Sequence, residues 1–358
     1  MGGRGGHPQP RTRRTRLFAA CVPGLGRMLR RKLDSVDGID VTGTGFDGRF
    51  DIVFFEADRD GRAYALASRL AEYVVAEIGR ASRAAGSGAA AVASTAWQPD
   101  AVQRALSVWA DEVQPLAASM TFRISARVLS EARFRRTDLR RALADLIGRD
   151  KPRWRFADPG QLQISIIEFH DGQYVTGLRL GGSGTRQHGA GEAGHRGGLP
   201  PTLAAAMVDL AGSPGRLGGT LLDPCCGAGT VLAEALAAGW AAEGTDIDAA
   251  AVDAAARNAP GATVQLGDAR ELLLPDDYVA ACVSSLPSGP QLGRPCGWQD
   301  WAAAALAEMT RVTRSGGSVV LLAPELPRPA IPGTLRLRRQ VPIRLAGSGL
   351  TIWVFRRA

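Results

Sequence analysis

Apolar positions along the chain change from a spacing of two to a spacing of three or four and back, and each change marks an element. From Leu17, LFAACV reads as a strand and Gly24–Leu33 as a helix. DVTGTGFDGRFDIVFFEA follows as two strands and ALASRLAEYVVAEIG, residues 65–79, as a helix, which predicts an α+β unit over residues 17–80. Residues 81–96 are small and weakly patterned. Beyond them Ala101–Val113 reads as a helix, TFRISARVL as a strand and Arg136–Gly148 as a helix; QLQISIIEF and QYVTGLRL then form strands joined at Asp171-Gly172, a strong hairpin signal. This second segment spans residues 81–182.

A glycine-rich stretch without hydrophobic anchors, residues 183–198, predicts a linker. In residues 199–358 the strands TLLDP, WAAEGTD, TVQLGD, YVAACVSS and SVVLLAP alternate with helices over Thr230–Ala238, Ala249–Asn258 and Asp300–Thr313. Such alternation predicts an α/β fold, a doubly wound Rossmann-like sheet that is mostly parallel and covered on both faces. LRLRRQVPIRL and LTIWVFRR read as paired strands closing one edge.

Charge adds a second asymmetry. The formal net charge of the 358 residues is +8. Residues 1–16 carry +5, residues 17–198 carry +4 and residues 199–358 carry −1. The first sixteen residues combine Gly, Pro and Arg without apolar periodicity, the pattern of a disordered basic tail. A basic front suits a polyanion, because each phosphate contact releases counterions, and a near-neutral rear suits a small ligand. Among the 43 basic residues only Lys32 and Lys151 are lysines, a bias that reflects a GC-rich genome rather than a demand for guanidinium contacts and carries little functional weight. No apolar run approaches the roughly 18 residues of a membrane span, and the polar N-terminus has no secretory pattern, so a cytoplasmic protein with no membrane contact is expected. The five cysteines include no C-x-x-C pair, which argues against a disulfide framework and a zinc site.

The most informative stretch is Asp223-Pro-Cys-Cys-Gly-Ala-Gly-Thr230, between a buried strand and a helix. Gly227 and Gly229 let backbone N–H groups approach a ligand closely. Leu232 occupies the place of the third glycine of a dinucleotide fingerprint, so a pyrophosphate site is weakly supported, and Asp223 would repel one. A carboxylate there suits a cationic ligand such as S-adenosylmethionine. Asp246 ends the next strand, 23 residues on, near the roughly 20-residue interval at which an acid meets ribose hydroxyls. Asp268 ends the strand after that. Any one of these Asp residues could be a turn or cap residue; three at successive strand ends point to one site.

DPCCGAGT, EGTDID, GDA and SSLPSG together resemble the motifs of THUMP-domain RNA methyltransferases, which methylate guanine N2 in tRNA. LRLGGSG followed by LPPTLAAAMVDLAG is similar to the family's entry into its methyltransferase domain. CVPGLGRMLRRKL and FRISARVLSEARFRRTDLRRALADLIG resemble its N-terminal ferredoxin-like and THUMP portions, covering 17–80 and 81–182. The resemblance implies that Asp223, Gly227 and Gly229 hold the methionine part of S-adenosylmethionine, Asp246 its ribose and Asp268 its adenine, that structured RNA, tRNA above all, is the partner, and that no metal is needed.

The catalytic motif departs from the family at both ends. Ser285-Leu286-Pro287-Ser288 stands where the family has Asn or Asp, a residue, Pro, and Phe or Tyr. By resemblance the first side chain and the carbonyl beside it accept the amine's protons, and the last stacks on the flipped-out base. Ser285 can accept one hydrogen bond; Ser288 has no π face, which leaves Trp298 as an aromatic that could take its place. Arg133, Arg135, Arg136, Arg140 and Arg141 cluster at the start of a helix, either a solvated face or a phosphate contact, and the helix N-terminus favours contact. His188 and His195 sit in the linker without ligand spacing, and Cys225 and Cys226 read as packing residues. The leading expectation is a guanine-N2 RNA methyltransferase. The alternatives are an RNA-binding protein that keeps the cofactor fold with little transfer, and a methyltransferase for another base or a small molecule.

Overall fold

Residues 14–83, 88–129, 134–181, 199–215, 219–287, 297–326, 331–345 and 347–358 are described by the computed structural model. The chain divides into two units, Met1–Ala20 with Gly26–Gln187, and Cys21–Leu25 with His188–Ala358. The tail to residue 13, the linker with His188 and His195, Arg133 and Ser288 lie outside the described residues.

The first unit runs β1 (Thr15–Cys21), α1 (Gly26–Asp34), β2 (Ile39–Phe46), β3 (Asp51–Ala57), α2 (Arg59–Ala67), β4 (Tyr73–Ser82), α3 (Ala89–Ala96), α4 (Pro99–Glu112), β5 (Thr121–Arg127), α5 (Arg136–Asp150), β6 (Arg155–Phe156), β7 (Leu162–His170) and β8 (Gln173–Leu180). Among the described residues its sheet has eight strands in the order β2-β3-β1-β4-β8-β7-β5-β6, continuous through both front segments. The predicted helix over 65–79 is corrected. Helix α2 stops at Ala67, and Tyr73–Ser82 is a central strand paired with β1 on one side and β8 on the other. Leu66, Leu70 and Val74 mimic a helical stripe, but YVVA is buried on both faces of the sheet, where a strand reads as a continuous apolar run. The weakly patterned 81–96 contains α3, whose buried Val92, Ala93 and Ala96 are too small to stand out against its other alanines. The Asp171-Gly172 hairpin forms: Gly172 takes φ +67°, and its N–H donates to the buried Glu168 Oε1 at 2.7 Å.

On one face of this sheet Phe18, Phe54, Tyr73, Val75, Ile167, Phe169 and Val175 form a buried cluster, with the Phe54 and Phe169 rings 4.8 Å apart edge to face. Phe122 and Ile124 of β5 point the other way and are buried on the side where α5 packs through Leu139, Leu143 and Ile147.

The second unit runs α6 (Pro201–Ala211), β9 (Thr220–Asp223), α7 (Thr230–Ala237), β10 (Ala241–Asp246), α8 (Ala249–Asn258), β11 (Thr263–Leu266), β12 (Val279–Ser285), α9 (Trp298–Val312), β13 (Thr313–Ala323), β14 (Leu335–Leu345) and β15 (Ser348–Arg357). Its sheet has the order β11-β10-β9-β12-β13-β15-β14, parallel from β11 to β13 with an antiparallel edge. The predicted doubly wound fold class holds. Leu222, Cys282, Val319 and Leu321 pack with Leu306 and Met309 of α9, while the alternate residues Leu221, Val283 and Val320 are equally buried, so both faces are covered. Strand order reverses between β9 and β12, the switch point beyond whose carboxyl ends open α/β sheets place ligands.

Candidate cofactor and methyl-transfer site

Three neighbouring strands deliver carboxylates to one edge. Asp223 pairs in register with Gly244, and Asp246 with Leu266, two residues before Asp268. Between β9 and α7 the chain turns sharply, tied by Cys226 N to Thr245 O at 2.9 Å and Gly229 N to Cys226 O at 2.8 Å. Asn258, at the end of α8, donates from Nδ2 to Ala228 O at 3.0 Å and holds the turn from the far side. Gly229 takes φ +84°, and a Cβ there would stand 2.9 Å from Ala255 Cα, so the turn can lie on α8 only with glycine. Gly227 takes φ +48°, and the space beside its Cα is open.

Asp246 braces this turn from β10. Its Oδ2 accepts from Gly227 N at 2.8 Å and its Oδ1 from Asp248 N at 3.0 Å, leaving each oxygen a further lone pair for a ligand hydroxyl. Asp223 lies deeper. Only 2% exposed, it accepts through Oδ1 from Ser284 Oγ at 2.7 Å and from Cys225 N at 3.2 Å. Burial pushes its carboxyl up to about 7, with Asp246 adding to the rise, while the bonds from Ser284 and Cys225 pull the other way. Burial and these two carboxylates push the Cys225 and Cys226 thiols up as well, so both stay protonated packing groups rather than nucleophiles. Asp268 is gripped by Arg270, Nη2 to Oδ2 at 2.6 Å, a bond that holds its carboxyl below the ordinary range.

Sequence reasoning missed two features here. Ser284 is fully buried inside a strand that reads as apolar, and only the β9–β12 pairing turns its hydroxyl to Asp223. Ile247 is 73% exposed and Leu266 61% exposed beside these carboxylates, forming an apolar surface at the strand ends. An isoleucine between two acids in EGTDID was the available signal.

At the end of β12, Ser285 is half-buried beside Leu322 of β13. Leu286 is buried, and its N–H donates to Leu322 O at 3.1 Å, so the chain leaves the sheet in a held direction toward Pro287. Asp223, Gly227, Gly229, Asp246, Asp268 and Ser285 thus meet at one edge. Trp298 does not join them: it is buried in the core with Leu286 and stacks on Trp301, centroids 5.6 Å apart. In the first unit Arg135, Arg136, Arg140 and Arg141 are exposed on α5, and Asp138 Oδ2 accepts from Arg135 N at 2.9 Å at the helix start.

Residues 189–331 match the family described as RMKL-like, methyltransferase domain. A U6 snRNA (guanine-N(2))-methyltransferase THUMPD2 from Bos taurus is 36% identical over 141 residues, which is 36% of this chain and 26% of that protein. A ribosomal RNA large subunit methyltransferase K/L from Allochromatium vinosum is 28% identical over 228 residues, 61% of this chain and 28% of that protein. The chain therefore spans about a quarter of the length of these curated relatives. Among solved structures, TrmN from Thermus thermophilus superposes with a TM-score of 0.71 at 21% identity, covering 96% of this chain and all of that one. A possible methylase from Clostridium difficile 630 gives 0.68 at 14% identity over 97% and 99% of the two chains. At such identities the likeness is one of fold. Among the described residues, no helix is long and apolar enough to cross a membrane.

Proposed function

We propose that this chain, which carries an RMKL-like S-adenosylmethionine-dependent methyltransferase domain, methylates the N2 amine of a guanine in structured RNA, with tRNA as the substrate class, in the cytoplasm. The observation that carries this reading is the convergence of Asp223, Asp246 and the open glycine turn with the Ser285 turn, on strands β9, β10 and β12 that lie side by side.

The residues fit the cofactor: Gly227 leaves an open cradle, and a cationic ligand suits an edge of carboxylates. When bound, S-adenosylmethionine supplies a sulfonium-activated methyl group. Asp223 neutralises the cationic end, more strongly when ionised, and Ser284 orients it. Asp246 accepts from ribose hydroxyls while its other lone pairs fix the turn. Ile247 would offer the adenine an apolar surface, and Asp268, held by Arg270, would accept from its amine. An exocyclic amine is a weak nucleophile, so the Ser285 oxygen and the carbonyl beside it accept hydrogen bonds from its N–H groups while Pro287 directs the turn, and the proton released once the methyl group is on nitrogen passes to solvent. Position and orientation supply most of the acceleration. By resemblance the first unit is the ferredoxin-like and THUMP-like RNA-binding part, divided near residue 80, and Arg135, Arg136, Arg140 and Arg141, with Arg133, are its phosphate-contacting face.

Incubation with labelled S-adenosylmethionine and unfractionated tRNA, followed by nucleoside analysis, tests the reading. N2-methylguanosine is the expected product. Label in another nucleoside would move the activity to another base; cofactor and RNA binding without label would leave an RNA-binding protein, the reading that Ser285 in the amine position favours.

A further inference from the structure

In the first unit the strand register builds a recess that the methyl-transfer reading does not use. Arg123 stands beside Gln163 and Ser125 beside Ser165 across β5 and β7, Ser165 stands beside Gly177 across β7 and β8, and Arg179 stands beside Val75 across β8 and β4. Side chains alternate between faces, so Arg123, Ser125 and Arg127 rise on the same face as Gln163, Ser165 and Arg179. Together they line a pocket of about 280 Å³. Its floor holds the small Ser125 and Ser165, and its wall is three guanidiniums.

Each guanidinium is held differently. Arg127 is paired with the buried Asp47 and donates to Tyr73 Oη at 3.0 Å. Arg179 lies over the Tyr73 ring, 4.6 Å from its centroid, and its acceptors are two uncharged oxygens at long range, Gln163 Oε1 and the Glu72 carbonyl, both at 3.4 Å. Arg123 has Asp158 at 3.4 Å, a carboxylate 64% exposed to solvent. Burial lowers the affinity of the Arg179 guanidinium for its proton; Tyr73 and the Glu72 carboxylate oppose that shift, and repulsion from Arg127 and Arg123 adds to it. Asp47, Asp158 and Glu72 each offset part of the charge of one of these arginines, and an anion seated among the three guanidiniums offsets the repulsion that remains.

We propose that this recess receives a phosphate group of an RNA strand, with Arg123 and Arg179 as charged donors, the Ser125 and Ser165 hydroxyls as neutral donors, and Arg127 as a fixed charge behind them. The RNA source rests on the function proposed above; the anion chemistry stands on the recess itself. The site is separate from the arginines of α5, and it differs from them in being a walled pocket rather than a solvated helix face.

The test uses the full chain, in its natural form and as R123Q/R179Q and S165L, the last filling the floor while keeping every charge. Each is titrated with inorganic phosphate, with a 5′-phosphorylated dinucleotide and its unphosphorylated form, and with unfractionated tRNA at several salt concentrations. Urea unfolding followed by the fluorescence of Trp97, Trp109 and Trp154, which lie in the first unit, reports that the variants are folded. The expected result is a loss of about tenfold in tRNA affinity per arginine removed near 0.1 M salt, with the slope of log K against log salt falling by about one for each. S165L is expected to lose affinity without losing charge. Unchanged tRNA affinity and slope in the double variant would overturn the proposal. Loss confined to phosphate and the phosphorylated dinucleotide would overturn the RNA source and leave a site for a small phosphate ester. Failure of the proposed function reads differently: tRNA binding would still depend on Arg123 and Arg179, with no guanine methylated.

Discussion

The two sheets of this chain carry their polar groups in different places, and the covering of their faces is the reason. In the second unit helices lie on both sides of parallel strands, so β12 and the C-terminal half of β13 are mostly apolar, Ser284 being held by Asp223, and the groups that can carry chemistry gather at the strand ends, Asp223, Asp246 and Ser285. In the first unit β5 has one face beneath α5, and the other face of β5 and β7 is open in part, with arginines and serines in mid-strand. A sheet buried on both faces confines recognition to its edge, where a small ligand can be gripped. An open face spreads charge where a polyanion can lie.

If that contrast is right, substitutions in the two regions should fail in different ways. The largest effect is expected from Arg127→Met. It would strand Asp47, which is 2% exposed and remains bonded to Arg49 N and Phe50 N, and an uncompensated buried charge costs about 3 kcal/mol or more. Thermal or urea unfolding would record it; a loss below about 1 kcal/mol would mean that the front charges are not structurally required.

Next comes Gly229→Ala, which adds a Cβ 2.9 Å from Ala255 Cα at a positive φ. Strain of about 1–3 kcal/mol is expected, with cofactor affinity falling in parallel because the turn must lift from α8. Asp246→Ala should separate the two readouts. Cofactor affinity should fall by about 1.5–3 kcal/mol, the value of hydrogen bonds to a charged acceptor, with a smaller loss of stability, about 1 kcal/mol, from the two turn bonds that the half-buried carboxylate accepts. An equal loss of stability would mean that Asp246 is a structural brace alone.

The smallest effect concerns pH. The Asp223 carboxyl, raised to about 7 by burial, holds its proton more tightly when folded than unfolded. Its contribution to stability is therefore greatest at low pH and declines as pH rises from the unfolded value through about 7. Affinity for a cationic cofactor moves the other way, rising severalfold between pH 6 and 8 as the carboxylate forms. Asp223→Asn should flatten that profile, and Ser284→Ala should shift its midpoint upward by removing a donor that favours the ionised form. A profile identical in all three proteins, followed by calorimetry, would take Asp223 out of cofactor binding.

Much of this molecule is written in short-range pattern. The alternation of strands and helices after residue 199 determined the doubly wound fold, because each element there is bounded by its own turn residues. Asp223, Asp246 and Asp268 were legible because carboxylates at strand ends interrupt apolar runs, and Asp171-Gly172 because a tight turn tolerates few residues. Tyr73–Ser82 was illegible as a strand, since leucine and valine spaced by four satisfy a helix as well as the interior of a sheet, and only pairing with β1 and β8 chooses between them. The hydroxyl of Ser284 on Asp223, the grip of Arg270 on Asp268 and the recess walled by Arg123, Arg127 and Arg179 likewise belong to the tertiary structure. Sequence sets which side chains share a strand face; which strands lie next to one another, and which faces are covered, is decided by pairing between residues far apart in the chain.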